Sequence, residues 1–214
     1  MNTDVNYYFQ PIELVDHTKL TISENSVYSS TPWREANFIS RTILNFFGED
    51  KKLTPQYGSD PIITDATANI GCNTISFYLS GFKRVNAVEI DSNTHSMLKS
   101  NIETYNLPTN SIYCCNYLDV YDKLQQDVVF IDSPWGGPDY IKFPCLDLFL
   151  SGTNIVDICF DIIYKNLASL LVLKLPINYN LKDLVSRLQT RTFLMEKIYR
   201  GQKQIGRASC RERV

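Results

Sequence analysis

An aspartate and a tryptophan three residues apart, in the string VVFIDSPWGGPDY from Val128 to Tyr140, are the residues of this chain best placed to do chemistry. The apolar run Val128 to Ile131 stops at Asp132, and Pro134, Gly136, Gly137 and Pro138 then force a tight turn. A carboxylate held there accepts hydrogen bonds, and the indole of Trp135 offers a flat face for stacking. Two other strand-like runs also end in acids. PIIT (61–64) leads to Asp65 and the string DATANIGCNT, where small residues turn into a helix whose first N–H groups face outward to a ligand. In VEID, Glu89 follows Asp65 by 24 residues, near the ~20-residue spacing at which an acid accepts hydrogen bonds from a ribose.

These three strand ends need a frame that brings them to one edge. Apolar runs alternate with helical patterns along the chain, which predicts an α/β fold of the Rossmann type, a mostly parallel twisted sheet with helices on both faces. The expected strands are 61–64, RVNAVEID (84–91), SIYCC (111–115), DVVFI (127–131), SLLVLKL (169–175) and TFLMEKIY (192–199). The unbroken apolar character of 127–131 implies burial on both faces. Helices are expected from Thr31–Pro32 to Phe47, over CNTISFYLSG with Gly81 as its cap, from a Ser92 cap to Tyr105, over NIVDICFDIIYKNL with Ile155, Ile158, Cys159, Ile162 and Ile163 inward, and over NLKDLVSRLQ. About 30 aromatic-rich residues precede the first helix without a clear period. In such folds ligands bind at the carboxyl ends of the strands, where all three acids lie.

Composition bounds the rest. At 214 residues with 44% hydrophobic side chains, the chain suits one core with a short extension. No apolar run approaches the ~20 residues of a membrane span, and MNTDVNYYFQ lacks the features of a signal peptide, so an intracellular protein in nucleus or cytoplasm is expected. The six cysteines (72, 114, 115, 145, 159 and 210) lack CxxC spacing and a histidine cluster, which argues against zinc and against disulfides and predicts mostly small buried apolar side chains. IGRASCRERV (205–214) reads as translated sequencing adapter; without its three arginines and one glutamate the net charge goes from −2 to −4. An acidic domain lacks the basic footprint that grips long nucleic acid through many phosphates.

FIDSPWGGPDY resembles the fourth motif of the trimethylguanosine synthases, RNA cap guanine 2-amino methyltransferases, in which an acid, a serine or an asparagine precedes Pro-Pro-Trp-Gly-Gly-Pro. DATANIGCNTISF is similar to that family's S-adenosylmethionine loop, VYSSTPWREANFI to its Phe-Ser-Val-Thr-Pro segment, and KLPIN to its Leu-Pro-Arg-Asn. The match spans residues 8 to 200. It implies a class I methyltransferase that moves a methyl group from S-adenosylmethionine to the 2-amino group of a 7-methylguanosine cap, acting as a monomer, without metal and away from membranes. Residues 1–48 become an amino-terminal extension and helix that contribute to the substrate site, 49–204 the methyltransferase domain, and 205–214 a non-native tail, with the final strand of the sheet expected to be missing.

The same resemblance assigns roles. Asp132, Pro134 and Trp135 become catalytic; Trp135, Gly136, Tyr140, Ser30 and Asn178 bind substrate; Asp65, Ala66, Thr67, Gly71, Asn73, Thr74, Glu89, Ile90, Asn116 and Asp132 hold the donor. A guanine amine is a weak nucleophile, so such a site works by positioning and electrostatics, with Asp132 accepting a bond from the amine and Trp135 stacking on the base. Gly136 and Gly137 are expected to let backbone approach the ligand. Asn116 is open to two readings, an adenine partner or a loop former, and Trp33 likewise, a cap contact or a helix staple.

The chain departs from the family pattern at Asn69 and Cys72, where glycines are usual, at Ser133, which replaces a proline, and at Ile177, which stands in place of an arginine. Cap phosphates are then left to Lys174 or Arg34. Two other functions stay open: methylation of an exocyclic base amine in rRNA, tRNA or DNA, and a non-catalytic module that binds caps or a partner. A dinucleotide oxidoreductase is disfavoured because the first loop lacks GxGxxG.

Overall fold

The alternating runs form a five-stranded sheet in the order β3-β2-β1-β4-β7. The computed structural model describes residues 4–47 and 53–188, and the backbone of 198–200 and 203–205. Its strands are β1 Ile62–Asp65, β2 Arg84–Glu89, β3 Ile112–Cys114, β4 Val128–Ile131 and, later in the chain, β7 Leu170–Leu173. Strands β1 and β2, β1 and β4, and β2 and β3 pair in parallel, and the register places Asp65 opposite Ala87 and Phe130. Both β1 and β4 are buried at every position, as their unbroken apolar character predicts for strands covered on two faces. Two compact units divide the described residues, one made of those up to 130 with 167–171, the other of those within 131–166 and 172–205.

In the first unit, helix α4 (Cys72–Ser80) runs between left-handed glycines, Gly71 at φ 98° and the Gly81 cap at φ 119°. Helix α5 (Ser92–Thr104) is capped by Asp91, whose carboxylate accepts the Thr94 amide at 2.8 Å, one residue before the expected Ser92 cap. That bond holds the Asp91 carboxyl below its usual range. Helix α3 (Trp33–Leu44) starts as expected at Pro32 but stops a turn short of Phe47. Phe77 and Phe130 meet edge to face at 5.5 Å in the centre, both fully buried.

The aromatic-rich amino terminus is folded rather than irregular. It forms α1 (Val5–Tyr8), a 3-10 turn (His17–Lys19) and α2 (Glu24–Ser29), each capped by an Asp or Ser side chain. Tyr8, Phe9, Leu20 and Val27 enter one core cluster with Ile70, Leu98 and Ile102. Sequence period missed these elements because each is shorter than two helical turns.

The second unit carries a 3-10 helix (Pro138–Lys142), a hairpin of β5 (Phe149–Leu150) and β6 (Thr153–Asn154), α6 (Ile155–Tyr164), α7 (Leu181–Arg187) and the antiparallel pair β8 (Ile198–Arg200) and β9 (Lys203–Ile205). Ser151 and Gly152 both have positive φ, the geometry of a two-residue hairpin loop. Asn154 caps α6 through the Val156 amide at 2.8 Å. The inward face of α6 holds Ile155, Ile158, Cys159 and Ile162 as expected, with Val156 buried and Ile163 only half-buried. The expected strand 192–199 falls within the described residues only at 198–199, in β8, and 206–214 lie outside them.

Cysteine burial departs from expectation: Cys72 and Cys159 are buried, whereas Cys114 and Cys145 are exposed and Cys115 is intermediate. The two exposed thiols end a strand and sit in a loop, where composition carries no burial signal. Among the described residues no helix is long and apolar enough to cross a membrane, and no group of three metal-binding side chains occurs.

Candidate active site

The donor loop is built in the first unit. Asp65 ends β1 with no exposed surface, and its Oδ2 accepts the Thr74 hydroxyl at 2.7 Å, so the strand tip and the first turn of α4 are tied together. The Ala66 amide is spent on the Phe130 carbonyl and the Ala68 amide on that of Val88, which pins the chain between two sheet neighbours. Asn69 takes φ 49°, a left-handed conformation that asparagine tolerates. A side chain at Gly71 is strained twice over, by φ 98° and by a Cβ that would lie 2.9 Å from Leu98 Cδ1. Cys72 is buried in the core, so its bulk is directed inward.

Glu89 fastens this loop from the side. Its Oε2 accepts the Asn69 amide and its Oε1 the Asp91 amide, each at 2.9 Å. A carboxylate has about four acceptor sites, so two remain for a ribose diol. Ile90 beside it is 62% exposed, an apolar surface suited to a purine ring. Asn116 caps the 3-10 turn Tyr117–Asp119 through the Leu118 amide at 3.1 Å, so the loop-forming reading is realised. Thr67 is half-buried in the turn.

Ser30 Oγ and Asn73 Oδ1 are among the polar atoms of this unit that are buried without a hydrogen-bond partner among the described residues. They lie close in the bonding network, since Asn73 Nδ2 donates to the hydroxyl of Thr31, the residue after Ser30, at 3.1 Å. Buried polar groups without partners are rare, and a bound ligand is one way in which their bonding is completed. An acceptor carboxylate, a left-handed glycine at a helix start, orphaned polar atoms and an exposed isoleucine suit the amino-acid, ribose and adenine parts of S-adenosylmethionine.

In the second unit Asp132 follows directly on β4. Its Oδ2 lies 2.6 Å from Lys174 Nζ, and the two side chains are only 8% and 14% exposed. The same ammonium stands 5.3 Å from the Trp135 ring centroid, and Trp135 meets Tyr140 edge to face at 5.0 Å. Lys174 thus bridges the acid and the ring. Asn178 holds the turn from outside, donating to the carbonyls of Tyr140 at 2.8 Å and Phe143 at 2.7 Å. Trp135 Nε1 and Asn178 Oδ1 are further buried atoms without a partner among the described residues. Gly136 and Gly137 have φ 89° and 78°, yet nothing lies within 4 Å of a Cβ at either. Both positive φ values serve the path of the turn, and the space beside each glycine is open. Pro134 is exposed and Ser133 is 4% exposed; nothing in the structure explains the serine.

Asp132, Trp135, Tyr140 and Asn178 thus come together in one unit, and the contact that sequence reading did not identify is that of Lys174 with Asp132 and Trp135. Arg34 lies 4.6 Å over Trp33, whose indole donates to the Asn6 carbonyl at 3.1 Å, so Trp33 staples the amino terminus. Ile177 is 68% exposed.

Residues 61–209 match the sequence profile described as RNA cap guanine-N2 methyltransferase. An uncharacterised protein of Acanthamoeba polyphaga mimivirus is 31% identical over 86% of this chain and 77% of its own length. The trimethylguanosine synthase of Schizosaccharomyces pombe is 28% identical over 75% of this chain and 64% of its own. Among solved structures, the human methyltransferase 10 domain containing protein aligns with a TM-score of 0.55 at 13% identity, covering 89% of this chain and 88% of that one. The precorrin-6y C5,15-methyltransferase of Geobacter metallireducens gives 0.54 at 14% identity, over 95% and 99%. At these identities the structural likeness concerns the fold alone.

Proposed function

The chain belongs to the RNA cap guanine-N2 methyltransferase family, and from that premise we propose that it methylates the exocyclic 2-amino group of a 7-methylguanosine RNA cap, with S-adenosylmethionine as donor. The observation that carries this reading is the pairing, within one turn, of an ionised acceptor and a stacking ring: Asp132 held by Lys174, and Trp135 three residues on. The curated relative from fission yeast supports the cap as substrate.

The amine lone pair of guanine is delocalised into the ring, so the protein must orient it rather than merely bind it. Trp135 stacks on the base, and for a 7-methylguanine cation the ring adds a cation-π contribution of ~0.5–2 kcal/mol. Lys174 already stands over this indole, so the base takes the part of the ring that the ammonium leaves open. Asp132 accepts one N–H of the amine and turns its remaining lone pair outward; the clasp from Asn178 keeps the turn from yielding. Bound S-adenosylmethionine supplies an electrophilic methyl on a sulfonium. As the N–C bond forms and the C–S bond breaks, positive charge grows on the amine, and the carboxylate of Asp132 stabilises it until an N–H proton leaves to water. No metal is needed for this chemistry, and the protein acts as a monomer.

Transfer of labelled methyl to 7-methylguanosine and unmethylated guanosine cap dinucleotides tests the proposal. Label on the 7-methylated dinucleotide, located at the 2-amino group by mass spectrometry, is expected; no transfer to either dinucleotide refutes it. Transfer to an rRNA, tRNA or DNA amine instead would select the second reading.

A further inference from the structure

The side-chain amide of Asn101, on α5, is fully buried and uses its whole bonding capacity. Its Nδ2 donates to the carbonyls of Ile70 and Thr21, each at 2.9 Å. Its Oδ1 accepts the Thr21 amide at 2.8 Å and the Thr21 hydroxyl at 3.3 Å. Two donors and two lone pairs are all that an amide has. Ile70 is the residue before Gly71, where the donor loop turns into α4. Thr21 lies in the amino-terminal segment, 80 residues away in sequence. One side chain therefore sets the loop and the segment in a single frame.

Two more bonds join the same partners. Asn69 Nδ2 donates to Ser29 Oγ at 2.8 Å and Asn73 Nδ2 to Thr31 Oγ1 at 3.1 Å. The loop is thus tied at 69, 70 and 73 to a segment that ends beside the orphaned Ser30 hydroxyl. Of the three ties, that of Asn101 is the one in which four hydrogen bonds converge on a single fully buried side chain with no spare bonding capacity, so its geometry is the least able to slip. Leu98 and Ile102 of the same helix pack under Gly71, which fixes the Asn101 backbone relative to the loop.

We infer that Asn101 is a positioning residue for methyl-donor binding, which it serves by locking the donor loop to the amino-terminal segment through Ile70 and Thr21. It touches neither donor nor base. The inference rests on the donor site proposed above, and it predicts a coupling: the loop is preorganised only while the segment is docked, and a bound donor holds the segment in place.

Calorimetry with S-adenosylhomocysteine on wild type, Asn101→Ala and Val85→Ala tests this, with thermal melts of all three. Val85 is a buried β2 residue at the opposite end of the strand from Glu89, so its variant reports loss of stability alone. Asn101→Ala should raise the dissociation constant about tenfold or more, the consequence of losing buried hydrogen bonds. At saturating donor its kcat should stay near that of wild type, and Val85→Ala should bind as wild type does. Equal binding by Asn101→Ala and wild type overturns the inference while leaving the functional reading intact; no binding by wild type overturns both. If Asn101→Ala does not fold, hydrogen exchange on wild type decides. Saturating S-adenosylhomocysteine should slow exchange of the Thr21 amide about tenfold, and an unchanged rate overturns the proposal.

Discussion

Lys174 Nζ lies 2.6 Å from Asp132 Oδ2, and neither side chain is more than 14% exposed. At such low exposure each charge depends on the other. Lys174→Met should cost about 3–5 kcal/mol by stranding the carboxylate. Asp132→Asn should lower kcat by about 10²–10³-fold through loss of the charged acceptor. The double variant should regain much of the stability lost in Lys174→Met and none of the activity. Urea melts with labelled-methyl assays on the four proteins check this, and a double variant no more stable than Lys174→Met contradicts it.

Trp135 should carry base binding. Trp135→Ala is expected to weaken calorimetric affinity for a 7-methylguanosine nucleotide by ~1–3 kcal/mol, whereas Trp135→Phe should keep most of it. Donor affinity should be the same in both. An alanine variant that binds the nucleotide as tightly as wild type would remove the stacking role.

At Gly71 two penalties coincide, a φ of 98° and a Cβ that would meet Leu98 Cδ1 at 2.9 Å. Gly71→Ala should destabilise by about 1–3 kcal/mol and weaken donor binding, because the loop must shift at the start of α4. Gly136→Ala has the strained φ without the clash, so it should be milder in a thermal melt. The reverse ranking would contradict the packing argument.

Alkaline pH should destabilise the protein. Burial pushes the Cys159 thiol up to about 12 and raises Tyr105 and Tyr179 as well. The folded state thus keeps protons that the unfolded chain releases from about pH 8.5 for cysteine and about pH 10 for tyrosine. Stability from these groups is complete below those values and declines as pH rises through them. Melting temperatures should fall between about pH 8 and 11, and less steeply in Cys159→Ala than in wild type. In the native protein at pH 8, alkylation should reach Cys114 and Cys145 and spare Cys159.

Short-range pattern was sufficient for the order of strands and helices, the acids at their ends and the turn that carries Trp135, because period, caps and turn residues are set within a few positions of each other. Where the local signal is weak, the sequence is silent: the α1 and α2 turns are too short to show a period, and the β5–β6 hairpin has two residues per strand. The same strings that carry the chemistry, DATANIGCNT and DSPWGGPDY, break regular structure, which is what made them visible.

The sequence by itself thus determined an α/β chain with a donor loop after β1 and an acid–aromatic turn after β4. Tertiary structure alone decided which partner each of these received: Lys174 for Asp132, 42 residues on; Asn101 for Ile70, 31 residues on, and for Thr21, 80 residues back. The reason is physical. A strand or a cap is stabilised by neighbours in the chain, but a buried charge or amide can be satisfied only by whatever the closed fold brings within 3 Å, and nothing local to Lys174 or Asn101 records that choice.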